Sequence, residues 1–381
     1  MKTLLSHTSL LASIFLAQAM SAQGPGTIEK PRAASAASQW TEEPKTPETG
    51  AWLAHRIVSA QINDKADIAK RLMEMLRAGN VTAPCAQDGV FFFTKRGPGE
   101  KQASIYRRKG LTGTDERVID AAKLGAKNPA LTIFDLSKDG SLLAYGVGEG
   151  KAAERTVHFF DVNAGTDLSD VLASAHYNTV SVSPDKKGAW YAKVEPAGTR
   201  IFFRTFGAEA AADKLIFGET YFFEALGPKD LISTEVTPGG HHLLLSVRRG
   251  AQAKRIDVYA QELDEPDQKI RAIIHAMDNN FSWVARGGDL FVLTDNEAPK
   301  QRVVKVKIED PHPLKWEIIV PQGEDPLTGI DVVGEKLFVT STHAGAAQTR
   351  ILNLDGKETG QVITPRADFA QRVFHRCGTH D

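Results

Sequence analysis

Four features of the chain carry residues capable of chemistry: two adjacent histidines, His241-His242; two cysteines, Cys85 and Cys377; a glycine-rich run, Gly146-Val147-Gly148-Glu149-Gly150; and the basic runs Arg107-Arg108-Lys109 and Arg248-Arg249. A metal site needs three or four converging donors. The histidines follow Pro238-Gly239-Gly240, a hairpin-turn sequence, and read as surface imidazoles. Two cysteines this far apart make no zinc site. In an oxidising compartment they could pair and tie the ends of the mature chain together; otherwise one is a buried thiol and the other a tail thiol. The glycine run follows a strand pattern and opens no helix, so it is no nucleotide-binding loop. Net charge is −1 over 381 residues. That balance gives no electrostatic basis for binding nucleic acid or an anionic membrane, and the basic runs read as solvated strand ends.

These residues sit in a chain with ordinary globular composition, 42% hydrophobic and 24% charged. Residues 1–22 read as an export signal: Lys2, an apolar core from Leu10 to Leu16, then Ala17-Gln18-Ala19. The apolar run is far shorter than the roughly 20 residues of a membrane span, and a secreted or periplasmic location is expected. Residues 23–80 read as an Ala-, Gly-, Pro- and Ser-rich linker followed by two short α-helices. The first starts at Thr46-Pro47-Glu48 and carries Trp52, Leu53, Ile57 and Val58; the second spans about Lys65 to Arg77 with Ile68, Leu72, Met75 and Leu76 at helical spacing.

From Gly89 the apolar period changes from 3.6 to 2. A turn-and-hairpin unit recurs, clearest at Phe134-Asp135-Leu136-Ser137-Lys138-Asp139-Gly140-Ser141-Leu142-Leu143-Ala144-Tyr145. Weaker copies place Ser183, Thr237, Ala285 and Val333 at the Ser137 position, in steps of 46, 54, 48 and 48 residues. A drifting period near 50 made of strands and turns is the signature of a β-propeller. Six blades are recognisable over residues 81–359, the first with strands at Val90–Thr94, Ser104–Arg107 and Arg117–Ile119. Residues 360–381 form an atypical tail in which Phe369 to Cys377 shows no strand alternation.

The run Trp40-Thr41-Glu42-Glu43-Pro44-Lys45-Thr46-Pro47-Glu48-Thr49-Gly50-Ala51-Trp52 resembles the N-terminal segment of prolyl oligopeptidases (peptidase family S9A). Gly89 to Phe93, Ser104 to Arg107, Phe134 to Gly146, Thr166 to Leu172 and Leu243 to Gly250 follow that family's order and spacing. The resemblance implies a propeller of the family's seven-bladed type, a lid that admits short peptides to an α/β-hydrolase domain with a Ser-Asp-His triad. No Gly-x-Ser-x-Gly turn occurs in the chain, so no catalytic residue is transferred to any position. One substrate-binding position is: Arg248 stands where the family has an arginine facing bound peptide, although Arg249 follows where an acid is usual and Ala251 replaces a pocket residue.

The resemblance thus implies the propeller portion of a serine-type endopeptidase, inactive alone, with short peptides or a separately encoded catalytic domain as partners and no cofactor. A stand-alone exported propeller that binds a peptide or protein is the alternative, and a non-functional relic a third reading. Loss of the usual hydrolase cover over Trp52, Ile57, Leu72 and Leu76, and of the ring's closing blade, predicts self-association.

Overall fold

The computed structural model describes residues 79–362, except 83, 88, 222–223, 251–254 and 266–268. The chain divides into two units, Met1–Met73 and Glu74–Asp381; the described residues all belong to the second. They form six antiparallel blades and one two-stranded sheet, each built from consecutive strands. Blade 1 comprises β1 (Asn80–Val81), β2 (Cys85–Gln87), β3 (Val90–Arg96), β4 (Ser104–Lys109) and β5 (Glu116–Ile119), with β1 and β2 both pairing with β3. Blade 2 holds β6 (Pro129–Leu136), β7 (Leu142–Glu149), β8 (Arg155–Asp161) and β9 (Thr166–Ala175). Blade 3 holds β10 (Tyr177–Val182), β11 (Gly188–Glu195), β12 (Gly198–Thr205) and β13 (Lys214–Phe217); a small hairpin, β14 (Thr220–Tyr221) and β15 (Glu224–Ala225), follows.

Blade 4 contains β16 (Leu231–Val236), β17 (His242–Arg248), β18 (Ile256–Glu262) and β19 (Arg271–Ile274). Blade 5 contains β20 (Phe281–Arg286), β21 (Asp289–Thr294), β22 (Arg302–Lys307) and β23 (Glu317–Val320). Blade 6 contains β24 (Leu327–Val333), β25 (Lys336–His343), β26 (Ala346–Asn353) and β27 (Glu358–Val362). First strands neighbour one another, β6 with β10, β10 with β16 and β20 with β24, which makes them the inner strands. In every blade the pairing of the last two strands is irregular, for instance between Val258 and Tyr259 in blade 4 and between Val303 and Val304 in blade 5. Such bulges increase local twist and splay the outer strand.

The fold class expected from sequence needs correction. Among the described residues the fold is an all-β six-bladed propeller with no α-helix; its only helical pieces are single 3₁₀ turns at Ala121–Lys123, Ala210–Ala212 and Pro313–Lys315. The two helices expected before the propeller lie outside the described residues, as do Trp52, Ile57, Leu72 and Leu76, and no helix belongs to the fold class. Within each blade successive strands are antiparallel neighbours, so no connection has to cross over the sheet, the task that usually calls for a helix.

The core lies between blades rather than within one sheet. Because strand side chains alternate faces, each blade sends one set towards each neighbour. Phe92, Ile105, Leu143 and Tyr145 fill the seam of blades 1 and 2, and Phe134, Val157, Phe159 and Val180 that of blades 2 and 3. Trp190, Ile201, Leu243 and Tyr259 join blades 3 and 4. Leu244, Val258, Phe281, Leu290 and Val304 join blades 4 and 5; Phe291, Val303, Leu337 and Val339 join blades 5 and 6. The blade 1 face turned away from blade 2 is built otherwise. There Phe93 stacks on Tyr106 at 6.2 Å, Arg108 lies over Phe93, and Lys95 and Arg117 lie over Tyr106. Asp115 ties Lys95 and Arg108 together at 2.7 Å each, and those two hydrogen bonds hold its carboxyl down at about 2. That face covers its aromatics with charge.

The recurrent sequence unit is the turn between the first two strands of a blade. In blades 2, 3 and 4 the Ser137, Ser183 and Thr237 side-chain oxygens accept from the amides of Leu142, Gly188 and His242 at 2.9, 3.1 and 3.1 Å. The same three residues donate their own amides to the carbonyls of those partners at 2.9 Å. Each hydroxyl thereby closes a four-residue turn whose third position, Gly140, Lys186 or Gly240, takes positive φ. Blades 5 and 6 put Ala285 and Val333 at the aligned position, and neither can cap. There the strands close directly through Gly287-Gly288 between Arg286 and Asp289, and through Gly334-Glu335 between Val333 and Lys336.

Candidate functional site

The sequence-derived position Arg248 ends β17, opposite Leu231 of β16 and Ile256 of β18. Its side chain is exposed and makes no ion pair among the described residues. The residues beneath it are densely paired. Arg249 donates to Asp257 at 3.0 Å and to Asp230 at 3.2 Å, and Arg255 donates to the other Asp257 oxygen at 3.0 Å. Asp257 is fully buried and also accepts from the Ala276 amide at 2.9 Å, with His275 at 3.6 Å. Burial pushes the Asp257 carboxyl up, but Arg255, the Ala276 amide and Arg249 outweigh it and hold it below the usual carboxylate range.

Asp230 in turn accepts from the amides of Gly227 and Gly250 at 3.0 and 3.1 Å, tying the segment before β16 to the start of the β17–β18 connection. Ala276 adopts φ +57, a conformation that costs a residue with a Cβ about 1–2 kcal/mol. It is held there by its hydrogen bond to Asp257. The adjacent arginines therefore have different tasks: Arg249 is held, partly buried, in a carboxylate clamp, and Arg248 projects from the clamp into solvent. An unpaired guanidinium on a rigid base can bind a carboxylate or a peptide carbonyl through its planar array of donors. Ala251 lies outside the described residues.

A second polar group lines the inner strands and has no counterpart in the sequence-based list. Thr179 and Ser181 of β10 each lie 2.9 Å from the Thr234 hydroxyl of β16, and the Thr234 amide donates to Thr179 Oγ1 at 2.8 Å. Asn178 donates to the Ile232 carbonyl at 3.1 Å. Asp135 of β6 accepts from the Val182 amide at 2.8 Å, so side chains stitch the inner strands of blades 2, 3 and 4 together. Burial, assisted by the charge on Glu235, pushes the Asp135 carboxyl up to about 7. Asp135 and Glu235 each stand two residues before the capping Ser137 or Thr237, so aligning the repeats would have placed them at one register.

The structure does not unite the two groups. Arg248 pairs with the first residue of β16 and Leu244 with Glu235, four residues further along, about 13 Å at strand rise.

Of the cysteines, Cys85 is buried in β2, and no free thiol occurs among the described residues; Cys377 lies outside them. His241 is the exposed turn residue expected, hydrogen-bonded to Asp264 at 2.6 Å. His242 is not: the capped turn ends before it, and it enters β17 with a buried side chain. Among the described residues no three His, Cys, Asp or Glu side chains are grouped so as to hold a metal ion, and no helix is long and apolar enough to cross a membrane.

Consecutive four-stranded blades packed face to face around inner strands define the propeller class of binding scaffold. Residues 30–374 match the family described as "Prolyl oligopeptidase, N-terminal beta-propeller domain", and the chain belongs to that family as its N-terminal propeller portion. It is 24% identical over 345 residues to a prolyl endopeptidase of Elizabethkingia meningoseptica, covering 86% of this chain and 47% of the relative. It is 23% identical over 350 residues to the prolyl endopeptidase of Elizabethkingia miricola, covering 87% and 48%. Among solved structures, one from a mechanistic study of two prolyl endopeptidases superposes with a TM-score of 0.70 at 24% identity, over 90% of this chain and 53% of the other. Apo prolyl oligopeptidase B from Galerina marginata gives 0.64 at 17% identity, over 90% and 55%. The chain spans about half the length of the curated relatives it matches.

Proposed function

We propose that this chain is the peptide-admitting propeller of a prolyl-oligopeptidase-type serine endopeptidase and works with a catalytic half that supplies the nucleophile. The observation that carries this reading is the match to the family's N-terminal propeller along residues 30–374. Polar inner strands and the projecting Arg248 support contact with peptide backbone or a peptide carboxylate. In this reading the chain is exported on residues 1–22, Cys85 pairs with Cys377, and copies left without a catalytic half self-associate.

The test is reconstitution. Mixed with a hydrolase half carrying a Gly-x-Ser-x-Gly turn, the chain should convert unrestricted hydrolysis into cleavage confined to short proline-containing peptides. A hydrolase half whose size selectivity is indifferent to the chain would refute the proposal. Within the reconstituted enzyme, Arg248→Ala should raise KM roughly tenfold with kcat unchanged, the loss of one charge-assisted hydrogen bond. Peptide binding by the chain alone, with no effect on any hydrolase half, would point to a stand-alone binding propeller.

A further inference from the structure

His242 is 4% exposed, and neither of its ring nitrogens has a hydrogen-bond partner. Its backbone is locked to Thr237 through two hydrogen bonds across the turn. Strand alternation then puts its side chain on the same face as Leu244, within the core shared by blades 4 and 5. Directly across the strand pair stands Glu262, with its Oε1 4.0 Å from His242 Nε2. That is too long for a hydrogen bond. Arg271, opening the next strand, approaches Glu262 at 3.9 Å through its Nη2, which is buried and too far from that carboxylate for a hydrogen bond.

Four charged or titratable groups act electrostatically on His242. Glu262 and Arg271 come from its own blade, His241 precedes it in the chain, and Glu309 comes from the connection after β22 in blade 5. The imidazole is therefore enclosed by an apolar seam on one side and by an incomplete charged cluster on the other. A buried polar ring left unpaired is costly, and a charged one more so.

We propose that His242 is a proton-operated latch on the seam between blades 4 and 5. Neutral, the ring lies closed into the seam beside Leu244. On taking a proton from solvent at Nε2 it becomes a cation that the apolar seam cannot hold. It then turns towards Glu262 and water, opening that end of the seam. Burial, the largest influence, holds the His242 imidazole below the ordinary value of 6.5; Glu262 and Glu309 pull it up, and Arg271 and His241 push it down. The unfolded chain therefore takes up a proton that the folded chain refuses. The seam is at full strength above 6.5 and weakens as pH falls below it.

Two measurements on the full chain test the latch. Nitrogen NMR of the histidine rings, with His242 assigned through His242→Gln, should give a midpoint below 6.5. Amide hydrogen exchange at Leu244, Val258 and Val292, corrected for intrinsic rates, should become roughly tenfold faster between about pH 7.5 and about pH 5.5. In His242→Leu that acceleration should vanish. A midpoint at or above 6.5, or the same acid response in His242→Leu, would overturn the proposal. If His242→Leu does not fold, the ring titration of the unaltered chain decides the matter.

Discussion

Blades 2, 3 and 4 turn from first to second strand through a hydroxyl-capped four-residue loop, whereas blades 5 and 6 do so through two residues beginning with glycine. Both solutions deliver the same sheet. The first uses a side chain to satisfy backbone amides that the wider turn leaves unpaired; the second makes the turn so tight that no cap is needed but requires a backbone most residues resist. What the family of blades preserves is the pairing of strands, and the sequence at the turn is free to change so long as that pairing is kept. Neighbouring turns also touch within the capped group: Lys186 of blade 3 reaches Asp139 of blade 2 at 2.5 Å, and Pro184 lies against Gly240 of blade 4.

Six substitutions in three groups should sharpen this contrast. The largest loss is expected at Gly188, the residue that closes the blade 3 turn. A Cβ there would lie 2.3 Å from the Arg204 carbonyl oxygen and 2.5 Å from the Phe203 ring. Gly188→Ala should cost about 2–3 kcal/mol in urea denaturation, the scale of overpacking. Next come the caps themselves. Ser183→Ala and Thr237→Val each strand a buried amide and should cost about 1–2 kcal/mol, whereas Val333→Thr in blade 6, where the aligned side chain is exposed and there is no such turn to close, should change stability by less than about 0.5 kcal/mol. Equal effects in the two groups of blades would erase the distinction. The mildest of the destabilising changes, Gly287→Ala and Gly334→Ala, place a Cβ at φ +60 and +59 with open space around it. Each should lose about 1 kcal/mol from backbone preference alone.

The same contrast shows why some of the structure could be read from sequence. The capped turns announce themselves, because Ser/Thr followed by Asp, Gly or Pro is a local chemical requirement, and from them the blade spacing follows. Strand positions such as Leu243–Val247 and Leu290–Leu293 were legible because short apolar runs bounded by turn residues are a local signal too. His242 was misjudged because its neighbours are turn residues. Whether a residue is the last of a turn or the first of a strand decides its burial, and a one-position boundary is below what composition resolves. The Asp257 clamp was invisible for another reason: Asp230, Arg249, Arg255 and His275 converge from three connections of blade 4, and only the folded register brings them together. Arg248 could be singled out only by resemblance. Composition and spacing do not separate it from Arg249, although one is exposed and the other is locked in ion pairs.

Every sheet among the described residues is assembled from neighbouring stretches of chain, and no ladder of backbone hydrogen bonds runs from one blade into the next. Blades can therefore part like the leaves of a fan: separation at a seam exposes side chains but leaves each leaf's own bonding whole. Passage between leaves would then be governed by local side-chain packing, at a cost that differs from seam to seam. The junctions of blades 2 to 4, stitched by side-chain hydrogen bonds, would resist, and the largely apolar junction of blades 4 and 5 would be the place to yield.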